Sequence, residues 1–169
     1  MKKFELTNEF ITNMFGTKLF RIRALVEFGD VEAGELGGYV EKESNLGHDD
    51  NAWVYGNARV CGDALVCGNA RVCSDALVCG NARVCSDEDY AYAHGFGSVN
   101  RTTTFFRLKD GGVGVRCGCF YGTLAQFRDK IRETHGETKK AQEYLMLADL
   151  MELRFEEDEN EVGNRKYVE

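Results

Sequence analysis

From Asn51 to Ser86 an apolar residue recurs at every sixth position: Val54, Val60, Val66, Val72, Val78 and Val84. Ala stands two places before each, at 52, 58, 64, 70, 76 and 82. The units read NAWVYG, NARVCG, DALVCG, NARVCS, DALVCG and NARVCS, without a gap. A strict short period sets the architecture of a segment before any weaker signal is weighed. Six residues suit neither a helix at ~3.6 residues per turn nor a strand with a period of ~2. They fit a prism-like coil in which each unit makes one flat face and one corner. Val and the Ala two places earlier then point inward together, because strand side chains alternate. Asn or Asp, with Gly or Ser, takes the corner. The first pair tolerates left-handed backbone, and Gly enters it without a steric cost.

The flanks follow other periods. Residues 1–29 predict an N-terminal β-hairpin, with Phe4 and Leu6 on one strand, Leu19 to Leu25 on the other, and a turn from Asn13 to Thr17. Its expected role is to cap the open end of the coil, where unpaired backbone and apolar side chains would otherwise meet water. Residues 30–100 are expected to be the coil itself. Its first part, 30–50, reads as irregular: Val40 and Leu46 keep the six-residue spacing, and two extra residues bulge at His48-Asp49-Asp50. The phase continues at Tyr90 and Phe96, with Glu88 in place of the small residue, so the coil is expected to widen and close near Gly97.

Residues 101–155 predict a ββαα unit. Thr103 to Leu108 and Val113 to Cys117 read as strands joined by Lys109-Asp110-Gly111-Gly112, a hairpin signal. Thr123-x-x-Gln126 is a capping box opening a helix with Leu124, Phe127 and Ile131 on one face, stopped by Gly136. Thr138 caps a second helix with Ala141, Tyr144, Leu145, Ala148, Met151 and Phe155 inward. Residues 156–169 read as an acidic tail.

The pattern V-x-[GS]-[ND]-A-x resembles the hexapeptide repeat of left-handed parallel β-helices. In that family an aliphatic residue and a small residue four places later both point inward, a pattern that Val60 with Ala64 and Val66 with Ala70 match. The position after the aliphatic departs from the family's Gly, Ala, Asp or Glu: it is Tyr55, then Cys61, Cys67, Cys73, Cys79 and Cys85. The segments FRIRAL, GELGGYV, GNAWVYGNA and CGCFYGTL also resemble uncharacterised hexapeptide-repeat proteins of bacteria and phages. The resemblance implies a mainly β fold. Its form would be a short left-handed parallel β-helix of about two coils, with the N-terminal β-hairpin as cap and the ββαα unit as C-terminal appendage. It also implies a homotrimer with parallel coils.

If three units make one coil, residues 18 apart stack at the strand spacing of ~4.8 Å. Arg59 then lies on Leu77, Leu65 on Arg83, and Arg71 over Trp53 and under Asp89. A cation–π pair between Arg71 and Trp53 would contribute ~0.5–1 kcal/mol. The same stacking sets Cys61 beside Cys79 and Cys67 beside Cys85, within the range for disulfides. Their simplest role is nevertheless that of small apolar residues filling a tight corner.

Charge and cysteine use narrow the function. The 169 residues fit one domain, or one with an appendage. A net charge of −7 argues against broad, direct nucleic-acid binding. Met-Lys-Lys is followed by a mixed segment rather than an apolar core, and no apolar run approaches the ~20 residues of a membrane span. A cytoplasmic location in a bacterial host is expected, with thiols mostly reduced. The seven Cys are an odd number, and five follow the repeat instead of forming a disulfide framework. Cys117-Gly-Cys119 with His135 is a weak metal pattern; neither a metal nor a cofactor is predicted.

The expected function is that of a non-enzymatic homotrimeric binding protein with a protein partner, in the form of a phage-encoded inhibitor of a host defence or nucleic-acid enzyme. One alternative is a small anionic, nucleotide-like ligand held at subunit interfaces. Trp53, Tyr55, Arg59, Arg71 and Arg83 are the candidate ligand- or partner-binding residues, because they stand on or beside the outward row. A second alternative, implied by the resemblance, is an acyltransferase with His48 or His94 as general base. The absence of a phosphate loop, serine elbow or metalloprotease motif in the sequence leaves few other chemistries.

Overall fold

A computed structural model describes residues 1–97 and 99–156. The fold is mainly β, with two helices in its C-terminal part. β1 (Phe4–Thr12) and β2 (Lys18–Ala24) run antiparallel, with a register shift between Leu6 and Phe10. Asn13 builds the turn between them. Its Oδ1 accepts from Phe15 N and Thr17 N at 3.0 and 2.9 Å, which holds the backbone bent without a partner strand.

β3 (Leu36–Val40) pairs antiparallel with β2, while its Tyr39 and Val40 pair in parallel with Arg59 and Val60. Residues 30–50, expected to be irregular, thus contain the strand that joins the hairpin to the repeat. Two glycines permit this. A Cβ on Gly37 would lie 2.6 Å from Val54 O, and one on Gly38 would lie 2.5 Å from Ala58 O. Backbone packs on backbone there, and any side chain would force it away.

The repeat forms six two-residue strands: β4 (Trp53–Val54), β5 (Arg59–Val60), β6 (Leu65–Val66), β7 (Arg71–Val72), β8 (Leu77–Val78) and β9 (Arg83–Val84). β4 pairs with β7, β5 with β8 and β6 with β9, all in parallel. The offset is the 18 residues that also separate Cys67 from Cys85. Among the described residues the sheets stay open: one is ordered β1-β2-β3-β5-β8, and β4-β7 and β6-β9 are separate pairs. Every Val and Ala of the two rows is at most 2% exposed. At ~1.5–3 kcal/mol for each fully buried Val, this ladder dominates the core. Val40 still meets Val60 and Leu46 still bridges to Val66, so the two extra residues near His48 loop out and leave the register intact.

Two 3-10 turns close the repeat, Glu43–Asn45 before it and Asp87–Asp89 after it. Each turns its last residue inward. Asn45, fully buried, donates from Nδ2 to Gly62 O and Ala64 O at 3.1 and 2.8 Å and accepts from Lys42 N at 2.9 Å. Asp89 accepts on Oδ2 from Cys85 N and Ser86 N, both at 3.0 Å, and its Oδ1 lies 3.4 Å from Arg107 Nε. Terminal backbone groups that neighbouring strands leave unpaired are thereby satisfied.

The second turn also ends the coil earlier than the spacing predicts. β10 (Tyr90–Phe96) leaves the parallel stacks and pairs antiparallel with β11 (Arg101–Arg107), so Tyr90 and Phe96 keep the six-residue phase without belonging to the repeat. β12 (Val113–Cys117) and β13 (Phe120–Thr123) complete a sheet ordered β10-β11-β12-β13. The C-terminal part therefore carries four strands where the sequence predicts two. α1 (Leu124–His135) opens with the Thr123/Gln126 capping box, and α2 (Lys139–Phe155) opens on Thr138. Phe127, Ile131, Tyr144, Ala148, Met151 and Phe155 pack beneath them against Phe105 and Val115. Of the acidic tail expected at 156–169, all but Glu156 lies outside the described residues.

The corner cysteines do more than fill space. Cys67 and Cys85 are linked by a disulfide with Cα atoms 4.3 Å apart. Cys61 and Cys79 share a hydrogen bond, which lowers the Cys61 thiol pKa and raises that of Cys79. Cys73 Sγ lies 3.5 Å from Tyr90 Oη.

Candidate functional site

The outward row of the repeat splits into three environments. Trp53 is 0% exposed: it packs edge-on against Phe28 and Phe4, with ring centroids 5.3 and 6.3 Å away. The N-terminal hairpin and the 26–31 loop cover it, so the expected surface contact of Trp53 is replaced by a core role. Arg71 consequently makes no cation–π pair with Trp53. Its Nη1 is 2.6 Å from Asp30 Oδ2, and its backbone N donates to Asp87 Oδ1 at 2.7 Å. The expected neighbour Asp89 faces Arg107 instead. Tyr55 is partly buried against the core, and that burial raises its pKa.

Neither candidate base stands free in a cleft. His48 stacks on Phe4 at 4.4 Å, accepts on Nδ1 from Lys3 N at 3.1 Å, and has Nε2 3.0 Å from Glu43 Oε1. Both ring nitrogens are thus engaged, Nδ1 by the N-terminal segment and Nε2 by the 3-10 turn of Glu43–Asn45. Asp50, two residues on, is engaged elsewhere. Its carboxylate receives Lys3 Nζ, Ala52 N and Gly68 N. His94 lies exposed on β10 with Nδ1 2.7 Å from Thr102 Oγ1.

Arg59 and Arg83 are exposed and face different grooves. Arg83 borders a groove of about 230 Å³ with Lys42, Asp63 and Lys109, in which Lys42 is already paired with Asp63 at 2.9 Å. Arg59 borders a larger cleft of about 430 Å³ between the hairpin turn, the repeat and the C-terminal sheet. Arg101 and Arg116 also face into it, and Asp75 is the acid on its wall. Among the described residues, none of these three arginines forms an ion pair. In a chain of net charge −7, three unpaired guanidinium groups around one carboxylate make a local positive field.

Local structure holds the arginines in place. Arg116 lies over the Phe15 ring, 5.4 Å from its centroid, with Nη2 3.9 Å from Met14 Sδ. The hairpin turn thus holds the guanidinium fork itself at the cleft wall, which Met14 shares. Its Nε is buried without a hydrogen-bond partner among the described residues. Arg101 passes over Gly118, where a Cβ would come 1.8 Å from Arg101 Nη1. Thr102, which also holds His94, supplies a hydroxyl on the same wall.

Cys117, Cys119 and His135 line a separate cavity of about 190 Å³. Among the described residues, no three His, Cys, Asp or Glu side chains converge as a metal site. No described helix is long and apolar enough to cross a membrane. No family model matches the chain, and no curated protein matches it.

The sequence singled out Arg59 but passed over Arg101 and Arg116. Arg116 alternates with Val115 and Cys117 on a strand and reads as an ordinary solvent-facing residue. Its approach to Met14 spans 102 positions, a contact that no local pattern encodes.

Proposed function

We propose that this chain is a non-enzymatic binding protein that holds an anionic ligand in the cleft of Arg59, Arg101 and Arg116. The observation that carries this reading is the set of three guanidinium groups without an acidic partner around one open cleft. Guanidinium forks match phosphate and carboxylate oxygens bidentately, and the apolar stems of Leu77 and Met14 keep part of the wall dry. This places the anion within one subunit, with Arg71 and Arg83 elsewhere. Acyl transfer finds less support, since His48 has both nitrogens engaged.

Inorganic pyrophosphate is the first probe. Calorimetric titration should give saturable binding that weakens with salt. Each lost charge-assisted bond is worth about 1.5–3 kcal/mol, so Arg59→Ala and Arg101→Ala should each weaken binding by about 10–100-fold. Arg83→Ala, in the other groove, should leave it unchanged. Absence of saturable binding, or equal loss in all three variants, would remove this reading.

The architecture proposed with it is a left-handed parallel β-helix assembled as a homotrimer. Parallel pairing at an 18-residue offset and the inward Val and Ala rows support the coil. Native mass spectrometry should return three times the chain mass. A monomer would exclude the trimer and leave the cleft intact. A protein partner is a second reading, favoured by Met146, Leu150 and Leu153, an exposed apolar stripe along α2. Inhibition of a host enzyme by a phage-encoded copy would use that face.

A further inference from the structure

Arg101 borders two cavities at once, the arginine cleft and the smaller cavity beneath α1. The pairing in the C-terminal sheet explains how. Arg116 stands opposite Thr104, whose Oγ1 accepts from Leu77 N at 3.0 Å, so this row faces the repeat. Phe105 and Val115 stand opposite each other in the helix-facing core, with Cys117 packed against them. Strand side chains alternate, so Arg101, two and four places before Thr103 and Phe105, starts on the helix side. It then crosses the end of the sheet over Gly118, where the missing side chain leaves the passage open.

The two cavities differ in chemistry. The cleft of about 430 Å³ is the guanidinium-lined one. The cavity of about 190 Å³ has aromatic walls, Phe120 and Phe127, and polar groups from Lys130, Thr134 and His135 at its edge. The His135 ring stacks on Tyr144 at 5.9 Å, and burial pushes the Tyr144 hydroxyl up to about 12, so it stays a neutral donor. An apolar, ring-walled space with a few polar edge groups suits a flat heteroaromatic ring, and the adjoining arginines suit its charged tail.

We infer that the ligand is a nucleoside diphosphate, bound across the end of the sheet. Its phosphates lie on Arg59, Arg101 and Arg116, and its base enters the cavity between Phe120 and His135. This inference rests on the anion-binding reading of the cleft and adds the base to it.

Titration of the full chain with ADP, GDP, CDP and UDP, beside pyrophosphate, separates the two. At least one nucleotide should bind ten-fold or more tightly than pyrophosphate. Thr134 is exposed on α1 and lines the cavity, so Thr134→Trp should fill the base site while sparing the fold. That variant should lose the gain from the base and keep pyrophosphate binding. If pyrophosphate binds and no nucleotide binds more tightly, the base site is refuted and the anion cleft stands. If neither pyrophosphate nor nucleotide binds, both readings fall. Nucleotide binding that survives Arg101→Ala and Thr134→Trp alike would place the ligand elsewhere and overturn the inference.

Discussion

Lys3→Met should lower the unfolding free energy by about 3 kcal/mol, the scale for removing one member of a buried charge pair. Lys3 is 2% exposed. Its Nζ donates to Ala52 O at 2.8 Å, Asp50 O at 2.9 Å and Asp50 Oδ1 at 3.2 Å, and lies over the Phe28 ring at 4.6 Å. One ammonium group thus ties the N-terminus to the loop that carries the two extra residues. Methionine keeps the stem volume but takes the ammonium donor from two carbonyls and leaves the Asp50 carboxylate with only Ala52 N and Gly68 N. The loss is a large share of the ~5–15 kcal/mol typical of a folded domain. Urea denaturation should show a lower midpoint at an unchanged slope. A loss below ~1 kcal/mol would mean that water replaces the ammonium group at no great cost.

The same residue leaves a mark on the pH profile. Burial lowers the Lys3 pKa below its ordinary value, more than Asp50 raises it. Between the lowered folded value and the ordinary one, the unfolded chain binds more protons than the folded one. Stability from this group therefore rises with pH across that alkaline window. The methionine variant should lack this rise. An identical alkaline slope in both proteins would contradict the assignment.

The second large effect is expected from an isosteric change. Asn45→Asp should destabilise the fold by about 3 kcal/mol at neutral pH, because it sets a buried charge against two carbonyl oxygens in place of a donor. Those oxygens, Gly62 O and Ala64 O, sit 3.1 and 2.8 Å from Nδ2. The reverse exchange at the other end should be milder. Asp89→Asn can still turn an oxygen toward Cys85 N and Ser86 N, and it loses mainly the charge facing Arg107, for about 1–2 kcal/mol. The two ends of the repeat thus demand opposite chemistry, a donor at Asn45 and an acceptor at Asp89. Acid should partly restore the Asn45→Asp variant, since a protonated carboxyl can again donate one bond. Equal stability of both variants, or no recovery on acidification, would show that these side chains do not close the repeat.

The six-residue period made the inward rows legible in advance. Val and Ala at fixed places leave little choice about which side chains face the core, and every one of them is buried. The capping residues Thr123 and Thr138 were equally plain, because a cap acts within four residues of itself. Local spacing misled where it persisted by coincidence. Tyr90 and Phe96 keep the phase, yet Asp89 redirects the chain through hydrogen bonds to Cys85 and Ser86, and pairing with β11 then decides the strand. Trp53 misled for the opposite reason: its place in the unit is an outward one, but Phe4 and Phe28 arrive from distant segments to bury it.

By itself the sequence determined what depends on near neighbours: the repeat, its inward faces, the helix starts and the turn at Asn13. Tertiary structure decided which outward residues remain available and which arginines meet. Arg59, Arg101 and Arg116 come from the repeat and two strands of the C-terminal sheet, and Met14 of the hairpin completes their cleft. Their charges add up only after packing brings them together, because side-chain electrostatics acts over a few ångströms of space and is indifferent to distance along the chain.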